Sequence, residues 1–370
     1  MNELGKRANT TAMDQRQHDQ LHSRLAEFAR RHLGATPIEL RARTLRGGLT
    51  AGAVMHVVAQ SGPSGEKRHR HEFVIKRLPR TDAREAEVYR SLPPDIAVDL
   101  APRMLAVEQH DPEFVDLYLE AIVRTQRWPW HDVTFAAAVL RRLAALHALE
   151  HDPLLEQARA GWDYEAELRD RAHEVLRRVE RFASESRDPV ARSSLPALRR
   201  VVSSLDALRS HLVDAGPFPP AVLHGDVHPG NVLVRRHAGQ SEPVFLDWGR
   251  ARVGSPLEDV SSWLQSLGFW EPAVKRKHDT LLRTYLDARG LHGHPSRAIR
   301  DVYWLAAASN CLAGALAYHI EVTGLEQPGS HARDAALAAA YDYLRMVRRA
   351  DACWASLAST DGSSPRRRSG

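Results

Sequence analysis

Residues 221–248 constrain the fold more than any other part of the chain. Three short strand-like runs, AVLHG, NVLVRR and VFLDW, follow one another there, and each has a polar group at its mouth: Asp226 after the first, Asn231 opening the second, Asp247 closing the third. The text on both sides has a helical period, so these runs form a small β island inside a helical region. Strand ends aim side chains into the loops above a sheet, and Gly225, Gly230 and Gly249 permit the tight backbone such loops need. Two carboxylates and an amide are hard oxygen donors of the kind Mg²⁺ prefers, with phosphate oxygens to complete its shell. An Asp in such a loop can also receive the proton of an attacking hydroxyl while metal-held charge stabilises a transferring phosphoryl group.

The pattern changes sharply near residue 131. Before it come strand-like runs at 39–45, 53–60, 71–78, 103–109 and 114–123, with one helical segment at 82–92 and turn signals at 61–67 and in HDPE. After it, helical period dominates: 134–149, 164–182, 195–212, 256–268, 272–289, 297–323 and 332–358. The expected organisation is an N-terminal extension with a helix (1–35), a β-rich lobe (36–123), a helical lobe (124–358) that carries the loops of 224–252, and a disordered basic tail (359–370). In the extension, Leu21, Leu25, Phe28 and Leu33 fall at helical spacing. The fold class expected is α+β.

Composition excludes several classes. No apolar run approaches the length of a membrane span, and the N-terminal text lacks an apolar core, so the expectation is a cytoplasmic protein with no membrane partner. Cys311 and Cys353 have no metal-type spacing and read as two reduced thiols. The net charge of +5 comes from 51 basic and 46 acidic residues, mostly interspersed, so the basic stretches at 67–71 and 366–368 read as a solvated hairpin and a tail rather than a nucleic-acid surface. Nothing in the text fixes an oligomeric state.

HGDVHPGN followed by LDWG resembles the catalytic and metal loops of the aminoglycoside phosphotransferase and choline kinase families, which are relatives of protein kinases. The motifs there read H-G-D-x-x-x-x-N and then D-x-G, and Gly225 stands where protein kinases carry Arg. The resemblance implies a two-lobed protein-kinase-like fold and an ATP- and Mg²⁺-dependent transfer of phosphate to a small-molecule hydroxyl. By the same resemblance Asp226 is the catalytic Asp, and Asn231 and Asp247 are the metal ligands. Lys76 in FVIKRL is the strand Lys on the α/β-phosphates, with Glu85 as its helix partner. Glu85 shares a helix side with Val88, Tyr89 and Leu92, and it also fits a capping box opened by Asp82; the two roles are compatible. Lys76 alternatively reads as an edge-strand Lys.

Gly48 and Thr50, in RGGLTAGA, lie where the family covers the phosphates, although a full GxGxxG is absent and a Gly-rich hairpin fits equally. The backbone atoms of Glu120 and Ile122 fall at the family's adenine-binding hinge. His228 either touches the γ-phosphate or shapes the loop. His224 reads as a brace for the loop, His147 as a buried and satisfied His, and Asp259 as a group that hydrogen-bonds loop backbone. Arg250 and Arg252 read as surface residues that could steer ATP. For the acceptor, Glu258, Glu271, Asp301 and Glu321 would suit a polycation such as an aminoglycoside, although helical surfaces always offer some carboxylates; Trp263, Trp270, Trp304 and Tyr318 would suit an aromatic cage for choline, but read first as aromatics that pack helices. Homoserine- and sugar-type acceptors stay open.

Competing readings meet specific objections. A protein kinase should carry Arg before Asp226 and an A-P-E segment after DWG. A nucleotide-binding pseudokinase should have lost Asp226, Asn231, Asp247 or Lys76, and all four are present. A nucleic-acid binder should show a recognition motif, and none is found.

Overall fold

The structure is a computed structural model that describes residues 15–34, 36–45, 53–62, 69–92, 99–122, 129–149, 161–214, 216–237 and 240–361. They fall into two compact units. One comprises the described residues up to Ile122 together with Val232–Arg250; the other comprises those from Pro129 to Asn231 and from Ala251 onward.

In the first unit helix α1 (Gln15–Leu33) precedes β1 (Pro37–Leu45), β2 (Ala53–Ser61) and β3 (His69–Pro79); helix α2 (Arg84–Ser91) then leads to β4 (Met104–Asp111) and β5 (Phe114–Glu120). The strands form one antiparallel sheet in the order β1-β2-β3-β5-β4. β3 is therefore internal, which removes the edge-strand reading of Lys76. Side chains alternate across a strand, so Phe73 and Ile75 face one side while Lys76 faces the other. The first side is covered by α1: Leu25, Phe28 and Ala29 pack with Val57, Ala59, Phe73, Ile75 and Tyr118. Phe28 stacks on Tyr118 with ring centroids 3.9 Å apart. The apolar stripe expected in the extension is thus part of the sheet's core. α2 starts after Ala83, so the N-cap position falls on Ala83 rather than on Asp82.

The rest of the chain runs through α3 (Val133–Leu146), α4 (Tyr164–Glu185), α5 (Pro189–Ser203), α6 (Leu205–Asp214), β6 (Ala221–Leu223), β7 (Val232–His237), β8 (Gln240–Phe245) and β9 (Arg252–Gly254). Then come α7 (Pro256–Trp270), α8 (His278–Ala288), α9 (Arg297–Asn310), α10 (Leu316–Leu325) and α11 (His331–Asp361). Asp132, Asp163, Asp188 and Ser296 cap α3, α4, α5 and α9 by accepting backbone N–H groups, and Ser255 with Glu258 forms a capping box on α7. Two expected helices are each broken. The run 195–212 splits at Ser204 into α5 and α6, and 297–323 is interrupted by a π turn at Cys311–Ala315, where Gly314 has φ +137°. The helical core is built on α4, α5, α9, α10 and α11, with Leu168, Val175, Leu198, Leu312 and Val347 among its buried side chains.

The β island differs from its expectation in two ways. It has four strands in two separate ladders: β6 pairs with β9, and β7 pairs with β8. The β7–β8 hairpin and Asp247 belong to the first unit, whereas the sequence assigned all of 224–252 to the helical lobe. The reason is local bonding. Arg235 on β7 donates to the Ala101 carbonyl at 3.0 Å and pairs with Glu120 at 3.0 Å.

Among the described residues no helix is long and apolar enough to cross a membrane. Both cysteines are free thiols, as expected.

Candidate active site

The first unit assembles a cation between two carboxylates. Lys76, on the α2-facing side of β3, places Nζ 2.5 Å from Glu85 Oε2 and 2.8 Å from Asp247 Oδ1. Glu85 sits in the first turn of α2, pointed inward by the apolar face formed by Ala86, Val88 and Tyr89. Asp247 has φ +64°, a left-handed backbone that Asp tolerates better than most residues, and this turns its carboxylate back toward β3. The Trp248 backbone N–H donates to the Glu85 carboxylate. Burial pulls the Lys76 ammonium toward deprotonation, but Glu85 and Asp247 outweigh it and hold its pKa above the ordinary value. Burial pushes the Glu85 carboxyl up to about 6, because the attraction of Lys76 offsets it only in part.

The second unit builds the loop of Asp226. The loop leaves β6 through His224 and Gly225, the latter at φ +81°. Asp259, in the first turn of α7, holds it from beneath: its carboxylate accepts the N–H of His224 at 2.7 Å and of Gly225 at 2.9 Å. His147 Nε2 lies 3.2 Å from the same carboxylate, and its Nδ1 lies 2.9 Å from the Tyr285 hydroxyl. All three side chains are buried. Burial alone would raise the Asp259 pKa; the hydrogen bond from His147 and nearby positive charge hold it below the usual range. His224 Nδ1 accepts the Asp226 N–H at 3.3 Å. His224 and Asp259 thus make the loop contacts read for them, and His147 is buried with both ring nitrogens partnered, as read.

Asp226 itself is half-buried, and Asn231 is fixed against it. The Asn231 amide nitrogen donates to Asp226 Oδ2 at 3.0 Å and to its carbonyl at 3.1 Å. His228 Nδ1 accepts the Gly230 N–H at 3.0 Å, which puts the ring's own proton on Nε2, 3.9 Å from Asp226 Oδ2. His228 therefore shapes the loop and keeps Nε2–H as a donor. A Cβ at Gly230 would lie 2.8 Å from His228 Cε1, so the ring and the loop are packed around a glycine.

The structure brings Lys76, Glu85 and Asp247 together in one unit, and Asp226, Asn231 and His228 in the other. Gly48 and Thr50 lie outside the described residues. Glu120 uses its N–H on the Arg103 carbonyl at 2.9 Å and its carboxylate on Arg235, so only its carbonyl can serve a base edge; Ile122 is half-buried just past β5.

Three residues differ from their reading in the sequence. Arg252 is buried rather than a surface residue: it donates to Glu258 Oε2 at 2.6 Å and to the Gly225 carbonyl at 3.4 Å, beneath the Tyr164 ring at 3.9 Å. Glu258 is not open to an acceptor, because Arg252 and Arg209 enclose it, the latter at 2.9 Å. Glu321 pairs with Arg178 at 2.5 Å. Trp263 follows the helix-packing reading instead: it is fully buried, edge-on to Trp130, and cannot line a cage. Arg209 was missed altogether. Its one sequence signal is a lone Arg on the buried face of an amphipathic helix.

A Lys–Glu–Asp cluster on a five-stranded antiparallel sheet, and a braced Asp–Asn loop in a helical unit, belong to an α+β protein-kinase-like fold. The sequence model of the phosphotransferase enzyme family (APH) matches residues 53–303, and the chain belongs to that family. Solved structures share the fold. A choline/ethanolamine kinase family protein from Mesorhizobium loti aligns at 19% identity and TM-score 0.53 over 90% of this chain and 98% of its own. Spectinomycin phosphotransferase APH(9)-Ia, in complex with ADP and spectinomycin, aligns at 16% identity and TM-score 0.52 over 90% and 98%. Aminoglycoside 2'-phosphotransferase-IIIa, in its GDP complex, aligns at 13% identity and TM-score 0.52 over 88% and 99%. No curated protein sequence matches the chain.

Proposed function

We propose that the protein transfers the γ-phosphate of ATP, with Mg²⁺, to a hydroxyl of a small molecule. The observation that carries this reading is the Lys76–Glu85–Asp247 cluster. An ammonium has three donors. Two of those on Lys76 are spent on fixed carboxylates, so the third is aimed for an α- or β-phosphate oxygen. Asp226 accepts the hydroxyl proton and orients the oxygen for attack; its loop is held by Asp259, His224 and Asn231, so little reorganisation is left at the moment of transfer.

The residues fit the metal. Asn231 spends its amide nitrogen on Asp226, which leaves its Oδ1 as a hard donor, and Asp247 supplies a carboxylate oxygen. Among the described residues no group of three or more His, Cys, Asp or Glu could hold a metal ion, so the donors suit an ion whose shell is completed by phosphate and water. When bound, Mg²⁺ would neutralise charge on the phosphate oxygens.

Of the acceptors considered, a polycation has lost much of its support, since Glu258 and Glu321 are neutralised within the fold and Asp301 lies 3.6 Å from Arg297. A choline- or ethanolamine-type amino alcohol is the second reading. It rests on Trp270 and Tyr318, which are 50% and 57% exposed and flank the Phe269–His319 ring pair. An ATP-consumption screen over amino alcohols, homoserine, sugars, macrolides and aminoglycosides, run beside Asp226→Asn, tests both. Turnover that disappears in the variant while Mg·ATP still binds supports the mechanism. Full activity in the variant, or no ATP binding by the native protein, refutes it.

A further inference from the structure

A depression of about 510 Å³ opens between α9 and α11 of the helical unit. That is within the range of small-molecule sites, roughly 300–1,000 Å³. Arg297, Arg300 and Arg349 line it against a single carboxylate, Asp301, a local charge of 3 − 1 = +2. Asp301 is already engaged. The Cys353 thiol donates to it at 3.3 Å, and Arg297 Nε lies 3.6 Å away. Burial and the neighbouring Asp301 push the Cys353 thiol up to about 12, so it stays a neutral donor. Arg300 and Arg349 have no carboxylate partner among the described residues.

These two guanidiniums are nevertheless held in place. Arg349 lies over the Trp304 ring at 4.5 Å, and Trp304 is parallel to His278. Arg300 donates to the Pro295 carbonyl at 2.9 Å. Their rotamer freedom is thus spent before any ligand arrives, and a planar guanidinium stacked on a ring keeps its edge N–H groups for an oxyanion. The arginines also stand against their own helix: Arg297 and Arg300 open α9, whose first turn contains no acidic residue, where the helix dipole disfavours cations. Uncompensated like charge gathered in a cavity is relieved by an anion.

We propose that this depression binds a dianionic oxyanion, specifically a phosphate monoester of a small molecule, with Arg300 and Arg349 taking the phosphate. The cavity is several times larger than a phosphate group, which leaves room for the esterified body beside Trp304. The site is independent of the phosphotransfer reading.

The test is calorimetric titration of the full chain with phenyl phosphate and, separately, inorganic phosphate. Variants are Arg300→Glu, Arg349→Glu and the milder Arg349→Gln, each checked for an unchanged melting temperature. Arg41→Glu on β1 serves as a control for net charge, since its charge change equals that of the two Glu variants. Loss of one charge-assisted contact should weaken phenyl phosphate about tenfold or more in Arg300→Glu and Arg349→Glu. Arg41→Glu should change little, and phenyl phosphate should bind more tightly than inorganic phosphate. Native affinity in the pocket variants would place the probe elsewhere, including at the nucleotide cluster, and overturn the proposal. So would an equal loss in Arg41→Glu, or no saturable binding. Equal affinity for the two probes would assign the site to free phosphate and overturn the ester.

Discussion

Replacing Asp259 with Asn is nearly isosteric, yet it should damage both stability and turnover. The carboxylate accepts three N–H donors, from His224, Gly225 and His147, at 2.7, 2.9 and 3.2 Å, and it is 1% exposed. Asn keeps one acceptor oxygen and turns a donor toward the others. One or two buried N–H groups lose their partner at about 1–3 kcal/mol each, so a total near 3 kcal/mol is expected. For a unit of this size that corresponds to a fall of about 6–12 °C in melting temperature. Because the native carboxyl pKa lies below the ordinary 3.8, its contribution is present above that value and disappears as pH falls through the native one. Calorimetric melts of both proteins at pH 7.5 and at a pH well below 3.8 should therefore show a gap that narrows on acidification. Turnover should fall about a hundredfold, as loop displacements near 1 Å cost. A variant melting within a degree of the native protein with full turnover would refute the argument that Asp259 positions the loop of Asp226.

Glu85 should couple pH to stability and affinity in opposite senses. Its native pKa of about 6 lies above the ordinary 4.5, so its ionisation costs up to about 2 kcal/mol above pH 6 and the cost is relieved below it. Relative to Glu85→Gln, the native protein should gain melting temperature as pH falls through 6, while its ATP affinity weakens as Lys76 loses a charged partner. Parallel trends in the two measurements would contradict the assignment. Arg209→Met should cost about 3–5 kcal/mol in chemical denaturation, since it leaves the buried Glu258 with one guanidinium in place of two. Arg209→Lys should recover less than half of that, because an ammonium cannot reach Glu165, Glu258 and Ser309 together; full rescue by Lys would reduce the effect to simple charge.

The candidate site residues stand out in the sequence because each is an exception in its context. Lys76 is a charge inside an apolar alternation, and Asp226, Asn231 and Asp247 break short apolar runs at loop mouths. The support beneath them was not legible. Arg252 sits among small residues in a strand of three, too short to display any alternation, and only the pairing of β9 with β6 carries it under the loop. Glu258 and Arg209 are charges on faces that periodicity marks as core, and one sequence cannot tell which charges will find each other across 49 positions. The division of 224–252 between two units was hidden for a related reason. The hairpin's allegiance is decided by Arg235 reaching Glu120, a contact with no local signature.

The docking of α1 on the sheet has a practical consequence. The family match begins at residue 53, inside the sheet, and ends at 303, within α9. A protein trimmed to those limits would lose β1 and uncover Val57, Ala59, Phe73, Ile75 and Tyr118, which Leu25 and Phe28 now shield from water. It would also lose α11, whose Leu344 and Val347 belong to the helical core. Such a fragment would keep every motif residue from Lys76 to Asp259 and still be expected to aggregate, with its catalytic vocabulary whole and its hydrophobic faces bare.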